Sequence, residues 1–417
     1  MSMSARKMLF IILTLALTLR GVAAVIVTRH LESTDESFLI AGDAAGYWEL
    51  GQHIARGEPY QLLGRPDDQL ARNSIPRQVP RMPGFPALLG FSIWMLGDNP
   101  LAARLLLALI GTLACLLVYR LGSQLFSTRT GLLAASACAI SPTLAGSSVL
   151  ILSDTLFATL LLAFLLAVAS LTRSRETFET RPRLTVAALA GLAGCAAVYV
   201  RPGWLPAIPL FALFWVVGSG SRARAVPEVG VLLLIVAIGL LPWARRNWQR
   251  TGHPVLTTLW GGPSLYDGLH PGATGASDMQ FIVDDGLYGD PAQTEYTIDQ
   301  HYRAAAWDFV VSQPATAARL AVIKVWRFLK PWPSAPQFQR WWQIILVAGL
   351  TVSLYLLAVR GAWLHWSSPW SWLLVAGPLL YFVALHTVFV GSLRYRLPAE
   401  YSLWVLAAAG CRERGAP

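Results

Sequence analysis

A chain of 417 residues that is 55% hydrophobic and only 13% charged, with a mean hydropathy of +0.50, is excluded from the ordinary soluble domains, which carry roughly 25% charged residues. Apolar runs of about 20 residues, enough to cross a hydrocarbon core of about 30 Å, recur along it, so the sequence reads as an all-α polytopic membrane protein. Continuous runs in place of short alternating segments exclude a β-barrel. The 33 Lys and Arg against 23 Asp and Glu give a net charge of +10, which in a membrane protein reads as topology and phosphate binding, with no nucleic-acid partner.

Arg6 and Lys7 precede an apolar run, 8–27, that continues past Arg20, as expected of an uncleaved first helix with a cytoplasmic N-terminus. The polar segment 28–100 then lies outside. Within it, AGDAAGYWELGQHIARG forms a short helix with Asp43, Tyr47 and Glu49 around its early turns. MPGFPALLGFSIWMLG is a re-entrant or juxtamembrane helix, because counting it as a span would put every later Arg-rich loop outside. Further helices are expected at 101–121, 130–149, 155–171, 184–200, 203–217 and 229–243, with the basic loops TRSRETFETRPR and GSGSRARAVPE inside.

A second outer segment, Arg245 to about Gln339, holds a helix opened by Pro314, with Ala318, Val322, Val325 and Leu329 on one face and Arg319, Arg327 and Lys330 on the other, suited to the headgroup layer. Helices at 341–359, 370–390 and 399–410 complete about ten passes. Trp341, Trp342, Trp363, Trp366, Trp370 and Trp372 bracket two of them as interfacial anchors. The chain divides into a transmembrane module, 1–243, with its outer catalytic loop 28–100, an outer region 244–340, and C-terminal helices 341–417. Cys115, Cys138, Cys195 and Cys411 have neither a pairing pattern nor metal-ligand spacing.

Polar sequence is thus concentrated on the outer face, whereas transporters show charges or broken helices near the midplane, so the site belongs at the outer membrane surface. Asp43, at a helix start, is either an N-cap or a carboxylate base for transfer to a hydroxyl. Asp154, in SVLILSDTLFATLLL, has the same two readings. Arg81, Arg104, Arg201, Arg394 and Arg396 all map to the outer side, where topology does not require them; a ring of planar guanidiniums suits a lipid phosphate or pyrophosphate, and snorkelling to headgroups is the alternative for each. Arg394, Tyr395 and Arg396 share the outer loop RYRLP. His53 and His386 are the histidines a fold could bring to one metal, though a structural role suits each better, and Asp284, Asp285 and Asp290 lack the spacing of a calcium loop.

The order GDAAGYWEL, RMPGFPALLG, GDNPLAARLLLALIGTLACLLVYRLGSQLFSTRTGLLAA, SDTLF, YVRP, RRNWQRTGHPV, KPWP, RYRLPAEY resembles the GT-C glycosyltransferases, and more closely the protein O-mannosyltransferases and lipid A aminoarabinose transferases. The resemblance implies an integral membrane enzyme that transfers a sugar from a polyprenyl-phosphate-linked donor to a lipid, glycan or protein acceptor on the non-cytoplasmic side, usually with inversion. It implies a catalytic carboxylate at Asp43 with Tyr47 four residues on, a second acid in the next outer loop at Asp154, and a basic residue just before the proline-rich re-entrant helix at Arg81. The chain departs from many members in placing Ala44, not Glu, after Asp43.

On this reading the protein sits in a bacterial inner membrane with a periplasmic site, where Asp43 deprotonates the acceptor and arginines hold the departing phosphate. Tyr47, Glu49, Arg104, Arg201 and Tyr395 join Arg81, Arg394 and Arg396 in binding substrate. No metal ligand is assigned, and a divalent metal is the one cofactor left open. A non-enzymatic transporter or flippase of a lipid-linked intermediate, using the same arginines, is the alternative.

Overall fold

The computed structural model describes residues 3–62, 75–173, 180–218 and 221–411; parts of the two basic segments TRSRETFETRPR and GSGSRARAVPE and the end after Cys411 lie outside the described residues. The described chain is helical, apart from one isolated antiparallel bridge between Leu62 and Arg77. Its helices are α1 (Met3–Thr34), α2 (Ala41–Arg56), α3 (Gly84–Leu96), α4 (Pro100–Leu125), α5 (Thr128–Ile140), α6 (Pro142–Ser147), α7 (Asp154–Arg173), α8 (Thr180–Val200), α9 (Ala207–Gly218) and α10 (Arg222–Thr251). They continue with α11 (Gly261–Gly268), α12 (Gln280–Asp285), α13 (Glu295–Ser312), α14 (Pro314–Leu329), α15 (Trp341–Leu364), α16 (Pro369–Leu385) and α17 (Leu393–Gly410).

Six of the described helices, α1, α4, α7, α8, α10 and α15, are long and apolar enough to cross a bilayer. With the shorter apolar helices around them they make a multi-pass membrane protein. At 13 residues, α3 reaches only about 20 Å and falls short of a span, in keeping with a juxtamembrane piece.

The helices expected at 8–27 and 229–243 are longer, running over Met3–Thr34 and Arg222–Thr251, and three further boundaries differ for a local reason. The helix expected at 130–149 breaks at Ser141, because Pro142 has no N–H to continue the ladder and Ser141 caps the next turn through its hydroxyl. The helix expected to reach 390 stops at Leu385. The last helix starts six residues earlier than 399, at Leu393, where the Ser392 hydroxyl accepts from the Arg394 N–H; RYRLP is therefore helix, not loop.

That last helix is the hub of the bundle. Every residue of α17 from Arg396 to Gly410 is buried. It lies so close to α15 that a Cβ on Gly361 would strike the Leu406 carbonyl and one on Gly410 the Leu357 carbonyl, the small-residue contact typical of helices in lipid. Charges inside the bundle are matched by internal partners. Arg20 is fully buried and donates to the carbonyls of Ala16, Ala139 and Cys138, tying α1 to the end of α5, and Arg183 pairs with Glu228 at 2.6 Å between α8 and α10.

At one end of the bundle α11 to α14 pack over its mouth. As expected, α14 opens at Pro314, but its apolar face divides: Ala318, Val322 and Trp326 are exposed while Val325 and Leu329 are half-buried. Lys324 is fully buried, donating to the carbonyls of Gly268 (3.1 Å) and Val388 (2.6 Å).

Candidate functional site

The site forms where four helix ends meet. Asp43 lies in the first turn of α2, Asp154 is the first residue of α7, Arg201 follows the last residue of α8, and Arg394 is in the first turn of α17. Neither Asp spends its carboxylate on a helix cap: α2 is preceded by Ile40 with no side-chain cap bond, and both carboxylates turn to arginines. The Asp43 oxygens accept from Arg81 Nη2 and Arg394 Nη1, each at 2.8 Å. The Asp154 oxygens accept from Arg201 Nη2 at 2.6 Å and Arg394 Nε at 3.1 Å. Arg394 thus bridges the two acids, giving a continuous chain Arg81, Asp43, Arg394, Asp154, Arg201 with one more cation than anion.

Aromatic rings set the heights of these cations. Arg81 lies over Tyr47 (5.9 Å) and Trp260 (5.2 Å), Arg201 over Phe157 (5.5 Å) and Tyr395 (5.8 Å), and Arg394 over Tyr395 (5.7 Å), arrangements that favour a cation against the ring face. Tyr395 in turn stacks on His386, and His386 on Phe328. The His386 Nδ1 carries its proton, since it faces only the Val390 carbonyl, at 2.6 Å. Tyr47 packs edge-on to Phe85 and reaches the Ser153 hydroxyl at 3.5 Å.

The end of α10 and the segment after it hold Tyr60, Gln78 and Val79 in place. Glu295, at the start of α13, accepts from the Gln78 and Val79 N–H groups at 2.7 and 2.9 Å. Arg246 donates to the carbonyls of Gln78 and Tyr60, and the Tyr60 hydroxyl to that of Arg81. Burial pushes the Glu295 carboxyl up to about 7, against the pull of the two backbone N–H groups and of Arg77 and Arg246. For Asp43, burial acts upward too, but Arg81 and Arg394 prevail and hold its carboxyl well below the usual carboxylate range.

The network opens into a cavity of about 1440 Å³. Its lining includes the polar network, with Asp43, Glu49, Arg81, Asp154, Arg201 and Arg394, and apolar residues of α15 and α16, with Trp342, Leu346, Val347, Phe382 and Leu385. Of the residues expected at the site, Asp43, Tyr47, Glu49, Arg81, Asp154, Arg201, Arg394 and Tyr395 line this cavity.

Two expected residues lie elsewhere. Arg396 is fully buried, its guanidinium engaged by Glu400 at 2.6 Å and by the carbonyls of Phe328, Leu329 and Lys330, so it closes the C-terminal end of α14 and faces no substrate. Arg104 is buried between α4 and α1, where it donates to the Thr28 hydroxyl at 3.0 Å. Trp260, Arg246 and Glu295 were not singled out from the sequence; only the RRNWQRTGHPV match pointed near one of them.

Among the described residues no group of three or more His, Cys, Asp or Glu side chains is placed to hold a metal ion. His53 meets the Gln61 carbonyl and Glu58, away from His386. All four oxygens of Asp43 and Asp154 are engaged by guanidiniums.

Residues 78–244 match the family model described as dolichyl-phosphate-mannose-protein mannosyltransferase, and no curated protein matches the chain by sequence. The archaeal oligosaccharyltransferase AglB from Archaeoglobus fulgidus, solved with an inhibitory peptide and a dolichol-phosphate, superposes with a TM-score of 0.60 at 14% identity, covering 98% of this chain and 50% of its own. The same organism's oligosaccharyltransferase tethered to an acceptor peptide with the NVT sequon gives 0.59 at 14% identity, over 97% and 49%. ArnT from Cupriavidus metallidurans bound to undecaprenyl phosphate gives 0.43 at 13% identity, over 96% and 76%. The chain spans about half the length of the archaeal enzyme it resembles. The likeness, over 98% of the chain, is one of fold, that of the GT-C membrane glycosyltransferases.

Proposed function

We propose that the protein is a glycosyltransferase that moves a sugar from a polyprenyl-phosphate-linked donor to an acceptor hydroxyl, with inversion. The observation that carries this reading is the acid–guanidinium chain in a cavity that apolar residues of α15 and α16 also line. An apolar slot takes a prenyl chain, and guanidiniums at its end bind the phosphate bidentately. The acceptor oxygen attacks the anomeric carbon from the face opposite the phosphate, its proton passes to Asp43, and the carbon–oxygen bond to phosphate breaks with its electron pair going to the phosphate held by arginine. The match to the mannosyltransferase family and the dolichol-phosphate bound by the archaeal enzyme agree with this donor class.

In this reading the protein makes about ten passes of a bacterial inner membrane. The N-terminus and the Arg-rich loops are cytoplasmic, the site is periplasmic, residues 1–243 and 341–417 form the membrane module, and 244–340 the outer cap whose α14 rests in the headgroup layer. The test compares glycans, lipid A and glycoproteins by mass spectrometry from cells with wild-type protein, with Asp43→Asn and with none. A glycosyl addition present only with wild-type protein supports the reading; one that survives in Asp43→Asn refutes it in favour of a carrier of lipid-linked sugars.

A further inference from the structure

The two acids of the site are held unequally. The Asp154 side chain is 3% exposed and is fixed by Arg201 and by the Nε of Arg394. The Asp43 side chain is 29% exposed, lines the cavity, and meets Arg394 only through a terminal Nη1. Arg394 can therefore keep its Nε on Asp154 while its outer nitrogens change partner. Arg81 is likewise seated on Trp260 and Tyr47 whichever anion it holds.

Resting on the polyprenyl-phosphate reading above, we propose that the donor phosphate takes Arg81 and Arg394 from Asp43, that Asp43 becomes a working base only through this exchange, and that Asp154 is the positioning residue that keeps Arg394 in place while it happens. The donor phosphate is a diester whose single charge is spread over two non-bridging oxygens that match a guanidinium fork, so it competes with the carboxylate for both arginines, and it holds them more firmly once transfer turns it into the doubly charged monoester. With both oxygens tied to cations, Asp43 is a poor proton acceptor. Once they are released, burial and the adjacent phosphate both favour its protonated form. The other groups near Asp43 are Arg201 from the end of α8 and Tyr395 on α17, while Tyr47 on α2 faces Arg81; Arg201 stays paired with Asp154.

The proton balance closes. Asp43 takes the acceptor's proton as the glycosidic bond forms and the phosphate leaves with the bonding pair. When the polyprenyl phosphate departs, the returning guanidiniums drive that proton to water. Abstraction without donor is thereby suppressed, and donor binds first.

Full-length protein in lipid nanodiscs, with undecaprenyl phosphate as probe and dicyclohexylcarbodiimide as a reagent for protonatable carboxyls, tests this by peptide mass spectrometry near pH 6. Without lipid Asp43 stays unmodified; with it, modification rises at least about tenfold, as a carboxyl raised by one pH unit requires, while Asp154 stays unmodified in both. Arg81→Gln without lipid reproduces the rise. Lipid that binds by native mass spectrometry yet leaves Asp43 unmodified, with Arg81→Gln also unmodified, overturns the exchange alone. Lipid that does not bind overturns the donor reading and the exchange with it.

Discussion

Arg394 and Asp154 are 240 residues apart in the chain and joined by an Nε–H···Oδ2 bond of 3.1 Å. Through it the first residue of α7 sets the position of the first turn of α17, and the remaining face of the guanidinium is left for Asp43. The expected consequences can each be measured.

Asp154→Ala destabilises the protein more than Asp43→Ala. Removing the buried acid leaves Arg201 and Arg394 facing each other with half their compensation gone, at a cost of about 3–5 kcal/mol. Asp43 borders the cavity, where water replaces its contacts. Thermal unfolding in detergent, followed by tryptophan fluorescence, gives both values; equal losses would show that the acids are held alike.

Asp43→Asn keeps size and helix position but removes the base, so transfer falls by about 10² to 10⁴. Undecaprenyl phosphate binding is retained, because Asn frees the arginines and removes a competing anion. Turnover and lipid binding on one purified preparation check this, and wild-type turnover in the variant excludes Asp43 as base.

Arg394 and Arg396 behave differently when changed. Arg394→Gln weakens lipid-phosphate binding by about 1.5–3 kcal/mol, the scale of a charge-assisted hydrogen bond. Arg396→Met leaves Glu400 buried and unpaired and lowers stability by about 3–5 kcal/mol, and Arg396→Met with Glu400→Leu recovers most of it. A binding defect in that double variant would place Arg396 at the substrate after all.

Glu295 makes stability depend on pH. Its folded carboxyl titrates near 7 against about 4.5 unfolded, so folding takes up a proton between these values. The stability it contributes is complete below about 4.5, lost as pH rises through about 7, and on the order of 3 kcal/mol in total. Denaturant unfolding from pH 4 to 9 shows this slope in wild type and its loss in Glu295→Gln; an unchanged slope assigns it to another group.

Single cysteines in a Cys411→Ser background test the orientation. Asp284→Cys, exposed on the outer segment, labels with an impermeant maleimide in intact cells, and Arg222→Cys, exposed at the start of α10, does not. Labelling at 222 alone inverts the topology.

What the sequence determined by itself is the part that depends on local composition. Span length, the shortness of the RMPGFP helix and the Pro314 helix start follow from hydropathy and proline chemistry read over a few residues. The identity of the site acids was legible in the same way, since a carboxylate beside an apolar run is conspicuous. Their partners were not.

Arg394 and Arg396 are neighbours in a loop reading. In a helix, two positions are about 200° apart, so Ser392 capping the helix at Leu393 sends one guanidinium to the cavity and the other into the bundle. Arg104 looked equivalent to Arg201 because both end near the outer face, but only packing put Thr28 against one and Asp154 against the other. Pairings across 38 to 351 residues leave no periodic trace in the chain, and the role of each arginine was therefore decided by which helix ends the fold brought together.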